Sequence, residues 1–135
     1  MTEPDIYDFD ILARTVYGEA RGEPMEGKIA VARVVVNRWL HATDQTLEAV
    51  CKKPFQFSCW NSTDPNEPKI RAVGYEDPVL RECMIAGLTA MNLKPEQDPT
   101  MGARHYCTLS ATPEWIQGRH PTVNIGRHQF FAGIK

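Results

Sequence analysis

The sequence predicts a single α+β domain that is mainly α-helical. Two apolar-periodic stretches of helical length fill the first forty residues. A third helix is signalled at Asp77-Pro78, an N-cap followed by proline at the first helical position, and runs to about Asn92. Strand candidates are few and short, at residues 103–109 and around 129–131.

The first helix is expected to start from a cap at Asp8 or Asp10 and to reach about Ala20, with Ile11, Leu12, Val16 and Ala20 leaning to one side. Gly22 and Pro24 break it. The second helix spans about 26–40. Its apolar residues Ile29, Ala30, Val31, Ala32, Val34, Val35, Val36 and Trp39 cover nearly the full circumference, which marks a central buried helix. The β-branched triplet Val34-Val35-Val36 also suits a strand. The length of the apolar stretch, and its end in Asn37-Arg38-Trp39-Leu40, favour the helix. A short helix follows near 46–52. Residues 54–60 read as an extended aromatic segment, and 61–68 as a polar loop with two prolines. On the helix after Asp77 the inner face is Leu80, Cys83, Met84, Gly87, Leu88 and Met91. Residues 94–100 form a loop, and Pro113-Glu114-Trp115 a turn of helix. No repeat, low-complexity tract or linker interrupts the chain, so residues 1–135 are read as one domain.

Composition narrows the function classes. The apolar share is 42% and the charged share 24%, ordinary for a globular protein. A net charge of -2 leaves no basic footprint for nucleic acid. No stretch approaches the roughly 20 apolar residues of a membrane span. The acidic start, residues 1–10, lacks the basic region and apolar core of a secretory signal. The cysteines, Cys51, Cys59, Cys83 and Cys107, form no C-x-x-C pair, which argues against structural zinc. They are expected to be reduced and mostly buried; two pairs could bridge in an oxidising compartment.

The most informative stretch is Tyr17-Gly18-Glu19-Ala20-Arg21-Gly22-Glu23-Pro24, which leads directly into the second helix. It sets a carboxylate near the end of one helix and then turns. Apolar neighbours at a cleft wall can make such a group a general acid at neutral pH, the kind of acid that glycosidic cleavage requires. The other reading of Glu19 is a surface salt bridge to Arg14 or Arg21. Glu19 and Glu23 would share a face on a continuous helix, but Gly22 and Pro24 should make them diverge, one into the cleft and one onto the turn.

Residues 12–38, LARTVYGEARGEPMEGKIAVARVVVNR, together with QFSCW (56–60), GARHY (102–106), Pro113-Glu114-Trp115 and IGRHQFF (125–131), resemble the SleB-type cell wall hydrolases, the spore-cortex-lytic enzyme family. The resemblance spans about residues 11–131. It implies a lysozyme-like, lytic transglycosylase-like fold, mainly helical with a small sheet beside the cleft. It also implies action on peptidoglycan glycan strands, at the β-1,4 bond between N-acetylmuramic acid and N-acetylglucosamine, without metal or cofactor. The family's essential glutamate maps to Glu19. Glu23 is expected to hold the turn, through Arg21 or backbone amides.

No second carboxylate stands in a matching motif; Asp64, Glu67 and Glu114 are the spare candidates. Without one, the substrate's N-acetyl group can assist at the anomeric carbon. Ionised Glu19 can then act as base on the muramic acid C6 hydroxyl, giving a 1,6-anhydro end. Gln56, Phe57, Ser58, His105 and Tyr106 are the candidate substrate-binding residues, with Trp60 as a further apolar face; packing is the competing role for Phe57, Trp60 and Tyr106. Trp115 and His128 are expected to pack the sheet.

Three rivals are a thiol peptidase or amidase using Cys59 or Cys107, a zinc amidase using His105, His120 and His128, and a non-catalytic wall-binding module. The expected setting is a phage or prophage lysin that reaches the wall through a lysis pore or in a particle. Nothing in the sequence demands more than a monomer.

Overall fold

The computed structural model describes residues 3–43, 45–53 and 56–134. Helix α1 (Ile6–Ala20) packs on α2 (Met25–His41) and on α5 (Pro78–Met91), and α2 packs on α5. Two short helices, α3 (Leu47–Lys52) and α4 (Glu67–Ala72), lie against α1. A three-stranded antiparallel sheet, β1 (His105–Thr108), β2 (Val123–Ile125) and β3 (His128–Phe131), has the order β1-β3-β2.

Helix α2 is the centre of the fold. Residues 30–37 are all buried, so the valine triplet is helical and its side chains fill the space between α1 and α5. Toward the ends of the helix Met25 and Ile29 are half-buried and Leu40 is exposed. Ile11, Leu12, Val16 and Ala20 of α1 all face this core.

Several expectations need correction. The cap of α1 is Asp5, whose side chain accepts from Asp8 N at 2.9 Å. Asp8 is the reciprocal member of that capping box, and its buried carboxylate also accepts from Glu48 N at 2.9 Å, holding the start of α3. Asp10 pairs with Arg14 at 3.0 Å. Residues 58–60 form a 3-10 turn rather than an extended run, while Pro54 and Phe55 lie outside the described residues. The loop expected at 61–68 holds over 61–66 and then gives way to α4, which takes Pro68 in its first turn, where no backbone N–H is needed. On α5 the buried side is Leu80, Cys83, Ala86, Gly87 and Ala90. Small residues face α1 and α2 there because the helices approach closely. Leu88 is 40% exposed, and Met84 and Met91 are half-buried. Strand β2 was not foreseen.

The connection from α5 to the sheet is anchored by Asp98. Its carboxylate accepts from Asn37 Nδ2 at 2.9 Å, from Thr100 N and Oγ1 at 2.7 Å each, and from Gly102 N at 3.0 Å. Burial alone would raise its pKa, but these donors outweigh burial and hold it below the usual carboxylate value. Arg33, also buried, stands 3.5 Å away and donates to the Ala90 and Leu93 carbonyls at 3.0 Å. Helix α2 thereby fixes both the end of α5 and the approach to β1.

Candidate active site

Glu19 lies in the last turn of α1, which stops because Gly22 and Pro24 cannot continue it. Gly18 allows the helix end to sit tightly on the 58–60 turn. A Cβ at that position would come within 2.7 Å of Cys59 Cβ and 2.8 Å of its Sγ. The half-buried Glu19 carboxylate accepts a short hydrogen bond from the Tyr106 hydroxyl on β1. Burial, then the charge of Glu19 and that hydrogen bond, push the Tyr106 phenol well above its ordinary value, so it remains a donor at neutral pH. The surface salt bridge that competed as a role for Glu19 is not formed. Arg14 is engaged by Asp10, and Arg21 donates to Asn66 Oδ1 at 2.7 Å and lies over the Tyr17 ring.

Glu23 takes a different course. It is 7% exposed, and its Oε1 accepts from the Arg127 backbone N–H at 2.7 Å. His128 Nδ1 stands 3.2 Å from the same oxygen without the alignment of a hydrogen bond. Gly126, at φ +58°, makes this possible, because a Cβ there would meet Glu23 Oε1 at 2.8 Å. The expectation that Glu23 serves the turn through a backbone amide matches this geometry, but the amide belongs to the β2–β3 hairpin and Arg21 is not involved. Glu23 therefore fastens the α1–α2 turn to the sheet that carries Tyr106. Burial lowers the His128 pKa and the neighbouring Glu23 opposes the shift only in part, so the imidazole is neutral at pH 7.

A groove of about 350 Å³ runs between the end of α1 and the sheet, lined by Glu19, Arg21, Glu23, Asn66, Thr108, Arg127 and His128 among others. Asp64, Glu67 and Glu114 do not line it. Asp64 accepts from Asn66 N, Glu67 pairs with Arg71 at 3.0 Å, and Glu114 lies exposed on a 3-10 turn.

The remaining candidates separate. Tyr106 reaches Glu19. Phe57 is 1% exposed with Arg38 over its ring at 4.8 Å, so its ring is packing and offers no face to a sugar. Trp60 is likewise tied down, its indole N–H donating to Thr15 Oγ1 at 2.8 Å. Gln56 and Ser58 are exposed; the Gln56 side chain accepts from Arg38 at 2.8 Å and faces a second cavity, where His105 also lies. The His105 ring lies tilted against Trp115, which in turn meets Phe131 edge-on.

Cys51, Cys59 and Cys83 are free and buried, and Cys107 is free and half-buried. Burial pushes the Cys51 thiol up to about 12 and raises Cys59 and Cys107 as well, with the charge of Glu19 adding to Cys59. These are poor nucleophiles at neutral pH. Among the described residues no three of His, Cys, Asp and Glu gather closely enough to hold a metal ion.

The sequence missed three contributors: Asp98 as anchor of the loop before β1, Gly126 as the site of close approach to Glu23, and Cys59 beside Glu19. The Gly-Arg-His run at 126–128 was the available signal for the second of these.

Comparison with known proteins agrees with this geometry. The family model described as Cell Wall Hydrolase matches residues 22–131, a span that opens just after Glu19. The chain is similar to the spore cortex-lytic enzymes of Halalkalibacterium halodurans (35% identity over 129 residues, 91% of this chain and 34% of that protein) and Bacillus subtilis (34% identity, 91% and 37%). It thus spans about a third of the length of these curated relatives. Its fold superposes on the catalytic domain of the Bacillus cereus SleB protein with a TM-score of 0.77 at 32% identity, covering 96% of this chain and 93% of that one. The catalytic domain of the germination-specific lytic transglycosylase SleB from Bacillus anthracis gives 0.74 at 32% identity, covering 96% and 98%. The lysozyme-like, mainly helical α+β class expected from the sequence is the class found. The chain belongs to the cell wall hydrolase family.

Proposed function

We propose that the protein cleaves the β-1,4 bond between N-acetylmuramic acid and N-acetylglucosamine in peptidoglycan as a lytic transglycosylase, with Glu19 as its acid and base. One observation carries this reading: of the two glutamates in the groove, Glu23 is buried on the Arg127 amide, whereas the more exposed Glu19 meets only the Tyr106 hydroxyl, at Oε1, among the hydrogen bonds of the described residues. The neighbour from Bacillus anthracis, named a lytic transglycosylase, supports the same reaction class.

In this mechanism protonated Glu19 gives its proton to the glycosidic oxygen as positive charge develops at the muramic acid C1. Tyr106 donates to Oε1, which leaves Oε2 to carry the transferable proton. The N-acetyl carbonyl of the same sugar assists at C1. Ionised Glu19 then takes the proton from the C6 hydroxyl, whose oxygen bonds to C1, and the 1,6-anhydro ring closes without water entering.

The test is mass spectrometry of soluble fragments from purified peptidoglycan treated with wild type and with Glu19→Gln. Fragments one water lighter than reducing-end products are expected with wild type alone. Reducing ends would point to hydrolysis and a second group acting on water. Cut peptide bonds, or full activity in Glu19→Gln, would overturn the proposal.

A further inference from the structure

A second cavity, of about 400 Å³, opens on the other side of Arg38, between the C-terminal end of α2, the end of α3 and the approach to β1. The charge of its described lining is one-sided. Arg38, Lys53 and Arg104 line it, with His41, His105 and Gln56, and among the described residues no carboxylate does. The chain as a whole carries a net charge of -2, so this concentration runs against its average.

The ion pairs of the fold lie elsewhere. Arg14, Lys28, Arg33 and Arg71 have acidic partners, whereas Arg38, Lys53 and Arg104 have none among the described residues. Arg38 is occupied in part. It donates to the Arg104 carbonyl at 2.5 Å and to Gln56, which holds its guanidinium at the cavity wall. The Lys53 side chain is exposed, and neither it nor the Arg104 side chain donates a hydrogen bond to any described residue. The Nδ1 atom of His105 is buried without a hydrogen-bond partner among the described residues. Burial and the charges of Arg38 and Arg104 lower the His105 pKa.

Arg38 also joins this cavity to the candidate active site: it donates to the carbonyl of Arg104, two residues before Tyr106, whose hydroxyl reaches Glu19. The anionic group that peptidoglycan carries beside the scissile bond is a carboxylate on the C3 substituent of N-acetylmuramic acid. It comes either from the stem peptide or, on peptide-free strands, from the lactyl group.

We propose that this cavity is a subsite for that carboxylate, with Lys53 and Arg104 as its recognition groups and Arg38 as the fixed wall. The inference rests on peptidoglycan being the substrate. It goes beyond the cleavage reaction by naming which part of the substrate is read, and where.

The test is co-sedimentation of Glu19→Gln protein with insoluble peptidoglycan, which reads binding without cleavage. Two walls are compared, native and carbodiimide-amidated at its carboxyls, and soluble glycan strands freed of stem peptides by an amidase serve as competitors, with and without amidation of their lactyl carboxyls. Native wall is expected to bind about tenfold more tightly than amidated wall, the scale of lost charge-assisted hydrogen bonds. Adding Lys53→Gln and Arg104→Gln should remove that difference, with the circular dichroism unchanged. Neutralising the exposed cations Lys69 and Arg119 should leave the difference intact. Stripped strands that compete better than their amidated form assign the lactyl carboxylate; equal competition by the two forms assigns the stem peptide. Equal binding to native and amidated wall, or an undiminished difference in the Lys53/Arg104 variant, overturns the proposal. Soluble glycan release by wild type is measured separately. If it is absent while the binding difference holds, the glycosidase reading falls and the subsite stands.

Discussion

Replacing Glu23 tests the division of labour between the two glutamates. The side chain is 7% exposed, and its Oε1 holds the Arg127 N–H at 2.7 Å beneath Gly126. In Glu23→Ala that donor loses an ionised acceptor, a bond worth about 1.5–3 kcal/mol, and the methylenes leave a small void. The expected loss is about 2–4 kcal/mol. For a domain of this size that is a fall in thermal midpoint of roughly 10 °C. Glu23→Gln keeps an oxygen for the Arg127 amide and gives up only the charge, so its cost should be about 1 kcal/mol. Thermal unfolding by circular dichroism reads the first quantity, and clearing of a peptidoglycan suspension below both midpoints reads activity. Glu23→Gln should keep most of its activity, whereas Glu19→Gln should lose nearly all. A Glu23→Gln protein that melts like wild type but has no activity would refute the reasoning. Glu23 would then be a reacting group, and the single-carboxyl mechanism would be wrong. A Glu23→Ala protein with an unshifted midpoint would show that the hairpin does not depend on this contact.

Further outcomes follow from the same geometry. Tyr106→Phe removes the hydroxyl that orients Glu19; turnover should fall roughly tenfold to a hundredfold with the fold retained, as measured by release of soluble glycan. Gly18→Ala drives a methyl into Cys59 at 2.7 Å, a contact on well-packed atoms, and should cost about 1–3 kcal/mol by denaturant unfolding. Val35→Ala, at the fully buried centre of α2, should cost roughly 2–4 kcal/mol in the same assay, whereas half-buried Ile29→Ala should cost distinctly less. His105 and His128 both have folded pKa values below the ordinary 6.5, so the unfolded chain takes up protons first. Their contribution to stability is complete above 6.5 and is lost as pH falls below it toward the folded values. The thermal midpoint should drop between pH 7 and pH 5, and a His105→Gln/His128→Gln variant should flatten that slope.

The local signals in this sequence were strong where a single element could satisfy itself. Asp77-Pro78 starts α5 because a carboxylate and a proline meet the needs of a helix N-terminus without help from the rest of the fold. The apolar residues among 29–39 cover nearly the whole circumference of α2 and force it into the centre, and the buried Arg33 and Asn37 find partners there in the α5 end and in Asp98. Gly22 and Pro24 end α1 for reasons confined to their own backbones, and this puts Glu19 at a helix end. The order of motifs from residue 12 to residue 131 was enough to point to the family.

What the sequence could not determine were meetings across long separations. Glu19 and Tyr106 are 87 residues apart, and Glu23 and Arg127 are 104 apart. Nothing local distinguishes a glutamate that reaches a tyrosine from one that reaches a backbone amide. Only the seating of the β2–β3 hairpin, made possible by Gly126, separates the two roles. Phe57 illustrates the same limit, because an aromatic in a cleft-lining segment and one turned into the core have the same sequence. The guanidinium of Arg38 covering its ring decided the matter. Likewise Arg38, Lys53 and Arg104 are unremarkable singly, and become a charged cavity only when the end of α2, the end of α3 and the approach to β1 converge. Secondary structure here follows from short-range backbone and burial rules, whereas the chemistry depends on side chains brought together by packing that no short window of sequence contains.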